Sequence, residues 1–327
     1  MNEKTAQTVS VVMATYNGEK FIREQIDSIL GQTYPVHELI IQDDGSTDQT
    51  VAIACKYAET YPQVKVFVNE KNIGLNLNFQ TAAMRATGDF VAISDQDDVW
   101  YPKKIERQIA AIGNNDMCCS ATMFGKSPET AELSNKPCNI ERLLFFSYVG
   151  GHSMLCRRDF IKNPDNWQSY MWYDWSLSLH AALAGGIIKI DDPLLWHRYH
   201  AGEVSSLLGE ELKSIGEHSK YYPYLCGLKV YRRWISDDNR KRIYTHLTEL
   251  TADGRHPLVH RICQLMLCDD LPSILRLCRL CQKHRKKTYF GDKTVSGITG
   301  WLRGFFFPFI YSCTPAPSLF LKDMSRS

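Results

Sequence analysis

Three aspartates follow directly after an apolar run in the segment AISDQDDVWYP, residues 92–102. Asp95 and Asp97 are two residues apart, so their carboxylates share one face of an extended chain. Carboxylates this close repel one another unless a positive charge lies among them. Oxygen ligands of this kind suit Mg²⁺ or Mn²⁺, which also bind substrate phosphates. A turn in which Asp98 caps the next helix is the alternative, but it explains only one of the three acids.

A second acidic turn, DDGSTD at residues 43–48, follows another apolar run. A strand that ends in two carboxylates can present one of them to a base or a ribose, as in dinucleotide-binding folds. Turn and cap chemistry is enough to explain Gly45–Asp48. For Asp43 and Asp44 we expect a contact with a ligand.

The elements that must position these acids alternate along the first part of the chain. Apolar runs with strand character are each followed by a segment with helical spacing, and this alternation predicts a parallel sheet with crossover helices. Ligands bind at the carboxyl ends of strands in such sheets, where both acidic segments lie. Further on, residues 113–140 have the composition of loops, and MWYDWSLSLHAALAGG predicts a helix that begins near Asp174. The predicted strands are VSVVMAT (9–15), ELIIQDD (38–44), VKVFVNE (64–70) and GDFVAIS (88–94).

The composition narrows the class of protein. The chain has 327 residues, is 44% hydrophobic and carries a formal net charge of +2, which gives no indication of a nucleic-acid partner. Residues 1–204 are acidic and residues 205–327 are basic, so we expect two parts with different partners. The first ten residues contain no apolar signal segment, which predicts a cytoplasmic protein. The 11 cysteines are scattered, and Cys278 and Cys281 form a lone CxxC pair, which favours buried thiols over a zinc site.

Three blocks in order and at matching spacing carry a resemblance: ATYNGEKFIREQIDSILGQTYP, IIQDDGSTDQT and NEKNIGLNLNFQTAAMRATGDFVAISDQDDVW. They resemble family 2 glycosyltransferases, strongly over about residues 8–110 and traceably to about 205. The SDQDDVW form resembles bacterial members that build cell-surface polysaccharides such as lipopolysaccharide, rhamnosyltransferases included. The resemblance implies an α/β fold of the GT-A (Rossmann-like) type, with a mostly parallel sheet flanked by helices. It implies a catalytic domain at 1–204, followed by a helical, basic region at 205–327.

The resemblance also implies a donor site for a sugar linked to UDP, dTDP or GDP. Tyr16 would pack on the base, and Asp44 would contact the base edge. Asp97 would be the direct ligand of Mn²⁺ or Mg²⁺, supported by Asp95, and His200 would complete the metal site. Arg198 could touch phosphate. The residues expected to bind the nucleotide-sugar are Ala14, Thr15, Tyr16, Asn17, Glu19, Asp43, Asp44, Asn72, Asp95 and Gln96.

On the acceptor side the resemblance implies a general base at the start of a downstream helix, which is Asp174 here. A carboxylate suits this role because only partial proton removal is needed as the new bond forms. A simple helix cap is the alternative for Asp174. The family often has a second acid beside this one, and Tyr173 occupies that place. Trp172 and Trp175 could stack on a sugar, and Gly151 and His152 match the acceptor-side turn.

The basic C-terminal region carries YRRW, RKR and QKHRKK among aromatic residues. A basic amphipathic segment followed by WLRGFFFPFIY can lie on an anionic bilayer, which would place the protein on the cytoplasmic face of the membrane. A helical appendage packed on the catalytic domain is the alternative. Membrane docking would suit a polyprenyl-diphosphate-linked acceptor, which the resemblance permits but does not require. The expected acceptor is therefore either a glycan or a polyprenyl-diphosphate-linked molecule.

Two other functions fit parts of the sequence. Asp95–Val99 satisfies the DxDx[TV] pattern of haloacid-dehalogenase phosphatases, although that nucleophile normally follows the first core strand. A non-catalytic module that binds a nucleotide or a membrane is the second alternative. The predicted function is a metal-dependent, inverting glycosyl transfer from a nucleotide-sugar to an acceptor hydroxyl.

Overall fold

The computed structural model describes residues 7–145, 149–200, 222–288 and 296–313. The chain forms two compact units. The first comprises Met1–Lys136 and Val149–His200, and the second comprises Pro137–Tyr148 and Ala201–Asp323. The predicted domain boundary at 204/205 lies outside the described residues and stays a prediction.

Within the described residues, the first unit is built on a nine-stranded mixed sheet. Its strand order is β3-β2-β1-β4-β8-β6-β9-β5, and β7 pairs with β6. The four N-terminal strands pair in parallel, as the alternation of strands and helices predicts. The later strands β8 and β5 run antiparallel to β4 and β9. The strands are β1 Val9–Thr15, β2 Glu38–Asp43, β3 Val64–Val68, β4 Phe90–Ser94, β5 Val99–Trp100, β6 Met117–Gly125, β7 Glu132–Ser134, β8 Leu155–Arg157 and β9 Ile187–Arg198.

Helices cover the sheet through narrow apolar faces. In the first helix, Ile22, Ile26 and Ile29 are fully buried, which is the spacing of one helical face. Strands β1, β2 and β4 are buried along their whole length, as expected for parallel strands inside an α/β sheet. The helices of this unit are α1 Ile22–Leu30, α2 Thr50–Thr60, α3 Leu75–Arg85, α4 Lys104–Ile112, α6 Arg158–Ile161 and α7 Tyr173–Leu183. The short α5, Ile140–Leu143, belongs to the second unit.

One local expectation from the sequence is wrong, and the structure does not support one alternative, the Asp98 cap. Residues 113–140 contain strands β6 and β7 rather than loops alone, because MCCSATMFG pairs with β8 and β9 although it contains no Val or Ile. Asp98 does not cap α4, which begins at Lys104 with Lys103 in the cap position. The Asp98 side chain is instead completely buried.

The second unit is helical and has an aromatic core. The hydroxyl of Tyr244 donates to the carbonyl of Leu144 at 2.8 Å, and the Phe145 ring packs against Phe307 and Tyr311 at centroid distances of 4.8 and 5.3 Å. Leu144 and Phe145 are therefore covered by helices that come more than 70 residues later. Its later helices are α8 Tyr222–Ile235, α9 Asp238–Leu250, α10 Pro257–Met266, α11 Leu271–Lys283, α12 Arg285–Thr288, α13 Gly297–Phe305 and α14 Phe307–Ser312.

Two further observations bear on this unit. Cys278 and Cys281 are free and fully buried in α11, so the prediction of buried thiols is confirmed. Across the ranges that the structure describes, no helix combines the length and the apolar character needed to cross a bilayer.

Candidate active site

The loop after β1 and the acidic segment after β4 are joined by one side chain. The Gln96 amide oxygen accepts from the Tyr16 N–H, and its amide nitrogen donates to the Tyr16 carbonyl, both at 3.0 Å. Gly18 lies so close to Gln96 that a Cβ on this residue would meet the amide oxygen at 2.1 Å. The Tyr16 ring remains 48% exposed beside this contact. The geometry thus brings the residues expected to hold the base next to those expected to hold the diphosphate.

Asp43 holds the turn after β2 together. One carboxylate oxygen accepts from the N–H groups of Gly45 and Ser46, and the other accepts from the hydroxyls of Thr15 and Ser46. The side chain is 1% exposed. Thr15 therefore links β1 to this turn through Asp43.

Exposed polar side chains also stabilise the neighbouring turns, by accepting hydrogen bonds from backbone N–H groups. Asn17 has a positive φ of 48°, and its amide oxygen accepts from the Thr47 N–H at 2.9 Å. The Glu19 carboxylate accepts from the Gln49 N–H at 2.9 Å, just before α2. Ala14 is buried at the end of β1. Asn17 and Glu19 thus hold the rim of the site through bonds within the protein.

The Asp44 carboxylate accepts hydrogen bonds from the loop before α3. It accepts from the Asn69 amide at 2.8 Å and from the N–H groups of Ile73 and Gly74 at 2.8 and 2.9 Å. Asn72, in the same loop, accepts from the Gly74 N–H at 3.0 Å. Asp44 is 3% exposed, so its position supports the loop, whereas its predicted contact with a base stays a prediction.

Asp97 lies against the end of β9. Its carboxylate is 2.8 Å from His200 Nε2, and its carbonyl accepts from Arg198 Nε at 3.0 Å. Burial, together with the negative charges of Asp98 and Asp95, raises the pKa of Asp97 to about 6, although the His200 contact opposes these effects. Arg198 also pairs with Glu24 and lies over the Phe21 ring at 4.8 Å. The structure brings Asp97 and His200 together, as the sequence predicts.

The other two acids of this segment each face a histidine. The Asp98 carboxylate is 2.7 Å from His197 Nδ1, and the Asp95 carboxylate is 3.3 Å from His152 Nδ1. Asp98 is completely buried, and Asp95 is partly exposed. The segment therefore holds three acids against three histidines.

The predicted general base lies at the start of α7. Asp174 is half-buried in the first turn, and its carboxylate accepts from the Trp175 N–H at 2.7 Å. Trp172 occupies the cap position, so Asp174 is not the cap residue that the alternative requires. Trp172 is half-buried, whereas Trp175 is 2% exposed and supports α7 from within the core.

Tyr173 packs beneath the acceptor-side turn. A Cβ on Gly151 would meet the Tyr173 hydroxyl at 2.0 Å, so only glycine fits there. Burial raises the pKa of Tyr173 well above its ordinary value, and the charges of Asp95 and Asp174 add to this effect. The phenol is therefore neutral, and it lies in the field of both carboxylates.

Sequence reasoning does not reveal three contributors to this site. Asp98 and His197 meet only because β5 pairs with β9, which is a contact between residues 99 apart in sequence. The Asn76 side chain bonds to the Met171 carbonyl and to the Tyr173 N–H at 2.8 and 3.0 Å, and thereby ties α3 to the start of α7. The available signal for His197 is its place in HRYH beside His200.

Comparisons with known proteins agree with this geometry. The family model described as Glycosyl transferase family 2 matches residues 10–177. An uncharacterized protein of Mycobacterium tuberculosis (strain ATCC 25618 / H37Rv) is 30% identical over 206 residues, which is 59% of this chain and 59% of that protein. The chain thus spans about three fifths of that relative. The Escherichia coli enzyme UDP-Glc:alpha-D-GlcNAc-diphosphoundecaprenol beta-1,3-glucosyltransferase WfgD is 36% identical over 109 residues, 33% of this chain and 42% of that enzyme.

Solved structures share the fold. TarS from S. aureus in complex with UDP-GlcNAc superposes with a TM-score of 0.55 at 18% identity, over 87% of this chain and 93% of that chain. The mannosyltransferase PcManGT from Pyrobaculum calidifontis, in complex with GDP-Man and Mn²⁺, gives 0.50 at 16% identity, over 94% and 86% of the two chains. The predicted α/β fold of the GT-A type is therefore confirmed, and the phosphatase alternative is not favoured.

Proposed function

The chain belongs to glycosyl transferase family 2, and from that premise we propose that it transfers a sugar from a nucleotide-sugar to a hydroxyl of a glycan or of a polyprenyl-diphosphate-linked acceptor. The reaction inverts the anomeric configuration and serves the synthesis of a cell-surface polysaccharide. The name of the relative WfgD, which includes UDP-Glc and a diphosphoundecaprenol acceptor, supports this choice of substrates.

The observation that carries the proposal is the contact between Gln96 and Tyr16. It holds an exposed aromatic ring, suited to a base, next to Asp95 and Asp97, which are suited to a metal-bound diphosphate. Both segments lie at the carboxyl ends of the adjacent parallel strands β1 and β4. Ligands of α/β sheets bind at this edge.

The residues present fit a divalent metal ion. Asp97 and His200 offer oxygen and nitrogen donors 2.8 Å apart, with the Asp95 carboxylate nearby, a mixture that suits Mn²⁺. The raised pKa of Asp97 reflects its burial first and the negative charges of Asp98 and Asp95 second, and a bound cation would stabilise the ionised carboxylate against both. When bound, the ion would supply positive charge that stabilises the nucleoside diphosphate.

Asp174 is the general base in this proposal. Its carboxylate takes the proton of the acceptor hydroxyl as the oxygen attacks the anomeric carbon from the face opposite the leaving group. The Asp174 oxygen that accepts from the Trp175 N–H is held in place, which fixes the orientation of the carboxylate. A single displacement of this kind inverts the configuration, and a product with retained configuration would contradict the assignment.

The first test measures release of nucleoside diphosphate from a panel of UDP-, dTDP- and GDP-sugars with Mn²⁺, Mg²⁺ or chelator. We expect one donor to be turned over in a metal-dependent way, with a loss of about 100-fold or more in Asp97→Ala. Asp159→Ala is the matched control, because that side chain is 96% exposed. Full activity in chelator, or in Asp97→Ala, would contradict the metal assignment.

The general base needs a second test with an acceptor. Asp174→Asn keeps the size of the side chain and removes its basicity, so we expect transfer to fall by about 10²–10⁴-fold while donor binding is retained. Calorimetric titration with the free nucleotide measures donor binding. An Asp174→Asn variant with normal transfer would identify the residue as structural.

We also propose that the second unit docks on the cytoplasmic face of a membrane. In α13, Gly300 and Gly304 are buried, and the outer side of the helix exposes Ile298, Trp301 and Leu302 by 81%, 51% and 43%. Helix α11 packs beside α13, since Gln282 donates to the Trp301 carbonyl at 3.3 Å. An apolar helix face next to basic residues suits an anionic bilayer surface. The basic residues of α11 and α12 are Arg276, Arg279, Lys283, Arg285, Lys286 and Lys287.

Sedimentation with vesicles tests this docking. The full chain should bind vesicles that contain phosphatidylglycerol more tightly than pure phosphatidylcholine vesicles, and high salt should weaken the binding. Ile298→Asp with Trp301→Asp should abolish it. Leu133→Asp is the matched control, because Leu133 is 56% exposed in the first unit. Equal loss in both variants, or no binding by the unaltered protein, would contradict the proposal.

A further inference from the structure

Two antiparallel ladders end at the acidic segment that follows β4. The ladder between β4 and β8 ends at Ala92 and Leu155, and the 3-10 turn Gly151–Ser153 just before β8 places His152 Nδ1 3.3 Å from the Asp95 carboxylate. In the ladder between β5 and β9, Val99 pairs with Trp196, and the next step sets Asp98 opposite His197. Backbone pairing therefore delivers two acids and two histidines to one place. This set contains neither Asp97 nor His200, the pair of the proposed donor site, and it shares Asp95 with that site.

The four side chains converge. Each of them offers one donor atom, and these atoms all lie within 4.8 Å of one another. The His152 and His197 rings are stacked with centroids 4.4 Å apart and an interplanar angle of 15°. Both rings present Nδ1 to the carboxylates. The arrangement is thus a compact set of two nitrogen and two oxygen donors.

Asp98 provides an independent observation. Its side chain is 0% exposed, and its second carboxylate oxygen, Oδ2, has no hydrogen-bond partner among the described residues. A buried carboxylate oxygen without a partner is costly, because it loses its hydration without replacement. His197 Nδ1 contacts the other oxygen, Oδ1, at 2.7 Å, whereas His152 Nδ1 is 3.9 Å from Oδ2, which is too far for a hydrogen bond. Oδ2 thus lacks the partner that a cation between Asp98 and His152 would provide.

The spacing of the donors agrees with a small ion. Donors at about 2.1 Å from a tetrahedral zinc ion are about 3.4 Å apart. Nδ1 of His152 lies 3.3 Å from the Asp95 oxygen and 3.9 Å from Asp98 Oδ2. Two imidazoles with two carboxylates favour a transition metal such as Zn²⁺ over Mg²⁺ or Ca²⁺.

We propose that Asp95, Asp98, His152 and His197 bind a divalent transition-metal ion of the Zn²⁺ type, separate from the ion of the donor site and without any nucleotide. Such an ion would cross-link the acidic segment, the turn before β8 and the end of β9. It would thereby hold the acceptor-side turn next to Tyr173. The inference uses only these four side chains and does not depend on the proposed sugar transfer.

Cobalt is the probe, because Co²⁺ bound by four nitrogen and oxygen donors absorbs strongly in visible light. The full chain is freed of metal with a chelator, titrated with Co²⁺ alone and then challenged with Zn²⁺. We expect a visible band that Zn²⁺ abolishes. His152→Ala should lose this band and bind Co²⁺ at least tenfold more weakly. His200→Ala, the same change at the donor site, should keep it.

A second variant guards against misfolding of His152→Ala, which circular dichroism would detect. Asp98→Asn keeps an acceptor for His197 and removes the carboxylate charge, so it should also lose the band. Absence of the band from the unaltered protein would overturn the inference, as would its loss in His200→Ala with retention in His152→Ala. Nucleoside-diphosphate release is measured on the same samples, so failure of the second metal site is distinguishable from failure of the proposed transferase function.

Discussion

The role of each aspartate near the site depends on the groups that contact its carboxylate, which are backbone N–H and hydroxyl groups in some cases and histidines in others. Asp43 and Asp44 sit at the end of β2, and the backbone or hydroxyl groups of neighbouring turns occupy both of their oxygens. Asp97 and Asp98 sit at the end of β4, where histidines face them instead. Both pairs of aspartates lie near the carboxyl end of a buried strand, so the difference arises from the segments that fold over them.

Asp44 provides a residue-scale prediction. In Asp44→Asn the new amide nitrogen faces backbone N–H donors, which leaves one buried donor without a partner. We expect the free energy of unfolding to fall by about 1–3 kcal/mol in urea denaturation. Asp159→Asn, at a side chain that is 96% exposed, should change it by less than about 0.5 kcal/mol. Unchanged stability with a raised KM for the donor would show that Asp44 serves the ligand and not the loop.

At the scale of elements, α4 begins with a buried lysine. Lys104 is 0% exposed, its Nζ donates to Gln108 at 2.8 Å, and it lies over the Trp100 ring at 4.2 Å. Gln108 in turn donates to the Ser153 carbonyl at 2.8 Å, next to the acceptor-side turn. Burial lowers the pKa of Lys104 from 10.5 to about 7.

This lysine predicts a pH dependence of stability. Between about pH 7 and pH 10 the unfolded chain binds a proton at Lys104 that the folded protein has released, so stability rises with pH in that window. Lys104→Met removes this contribution. We expect its stability relative to the unaltered protein to fall by about 2 kcal/mol from pH 7 to pH 9. Denaturation of both proteins at several pH values measures the difference, and a constant difference would mean that Lys104 does not titrate in this window.

The link between α3 and α7 gives a second element-scale prediction. Asn76 uses both ends of its amide to hold the chain just before Asp174. Asn76→Ala removes both bonds and loosens the start of α7, so we expect kcat to fall by about 10-fold or more with little change in the KM for the donor. Thr81→Ala, which removes a hydroxyl bonded only within α3, is the control. A selective rise in donor KM would contradict a positioning role for Asn76.

Some strands and side-chain contacts can be predicted from the sequence, whereas others depend on the three-dimensional fold. Strands β1, β2 and β4 can be predicted from their apolar runs, because a parallel strand buried on both faces needs almost continuous Val, Ile and Leu. Strand β3 can be predicted from its Val-rich run, although it lies at the end of the sheet and is partly exposed. Strand β6 cannot be predicted in this way, because its sequence, MCCSATMFG, shows no clear alternation of apolar and polar residues. The Asp97–His200 pair can be expected from motifs, whereas the contacts of Asp95 with His152 and of Asp98 with His197 depend on the register of distant strands.

At the scale of the whole molecule, the first compact unit contains two separate stretches of sequence, Met1–Lys136 and Val149–His200. Residues 137–148 belong to the second unit, although they interrupt the sequence of the first. Leu143, Leu144 and Phe145 are at most 1% exposed. Leu144 accepts from Tyr244, and Phe145 packs against Phe307 and Tyr311. The second unit therefore owes part of its core to a segment that precedes β8, α7 and β9.

This arrangement predicts how a shortened chain behaves. A fragment of residues 1–204 keeps segment 137–148 but loses the helices that cover it, and exposed apolar surface of this kind promotes association. We expect the fragment to bind more anilinonaphthalene sulfonate than the full chain and to aggregate at lower temperature. Phe145→Ser in the same fragment should reduce dye binding, because it removes the largest of the three side chains. Dye binding equal to that of the full chain would mean that the segment finds another cover, and that the second unit does not need to form for the first to stay soluble.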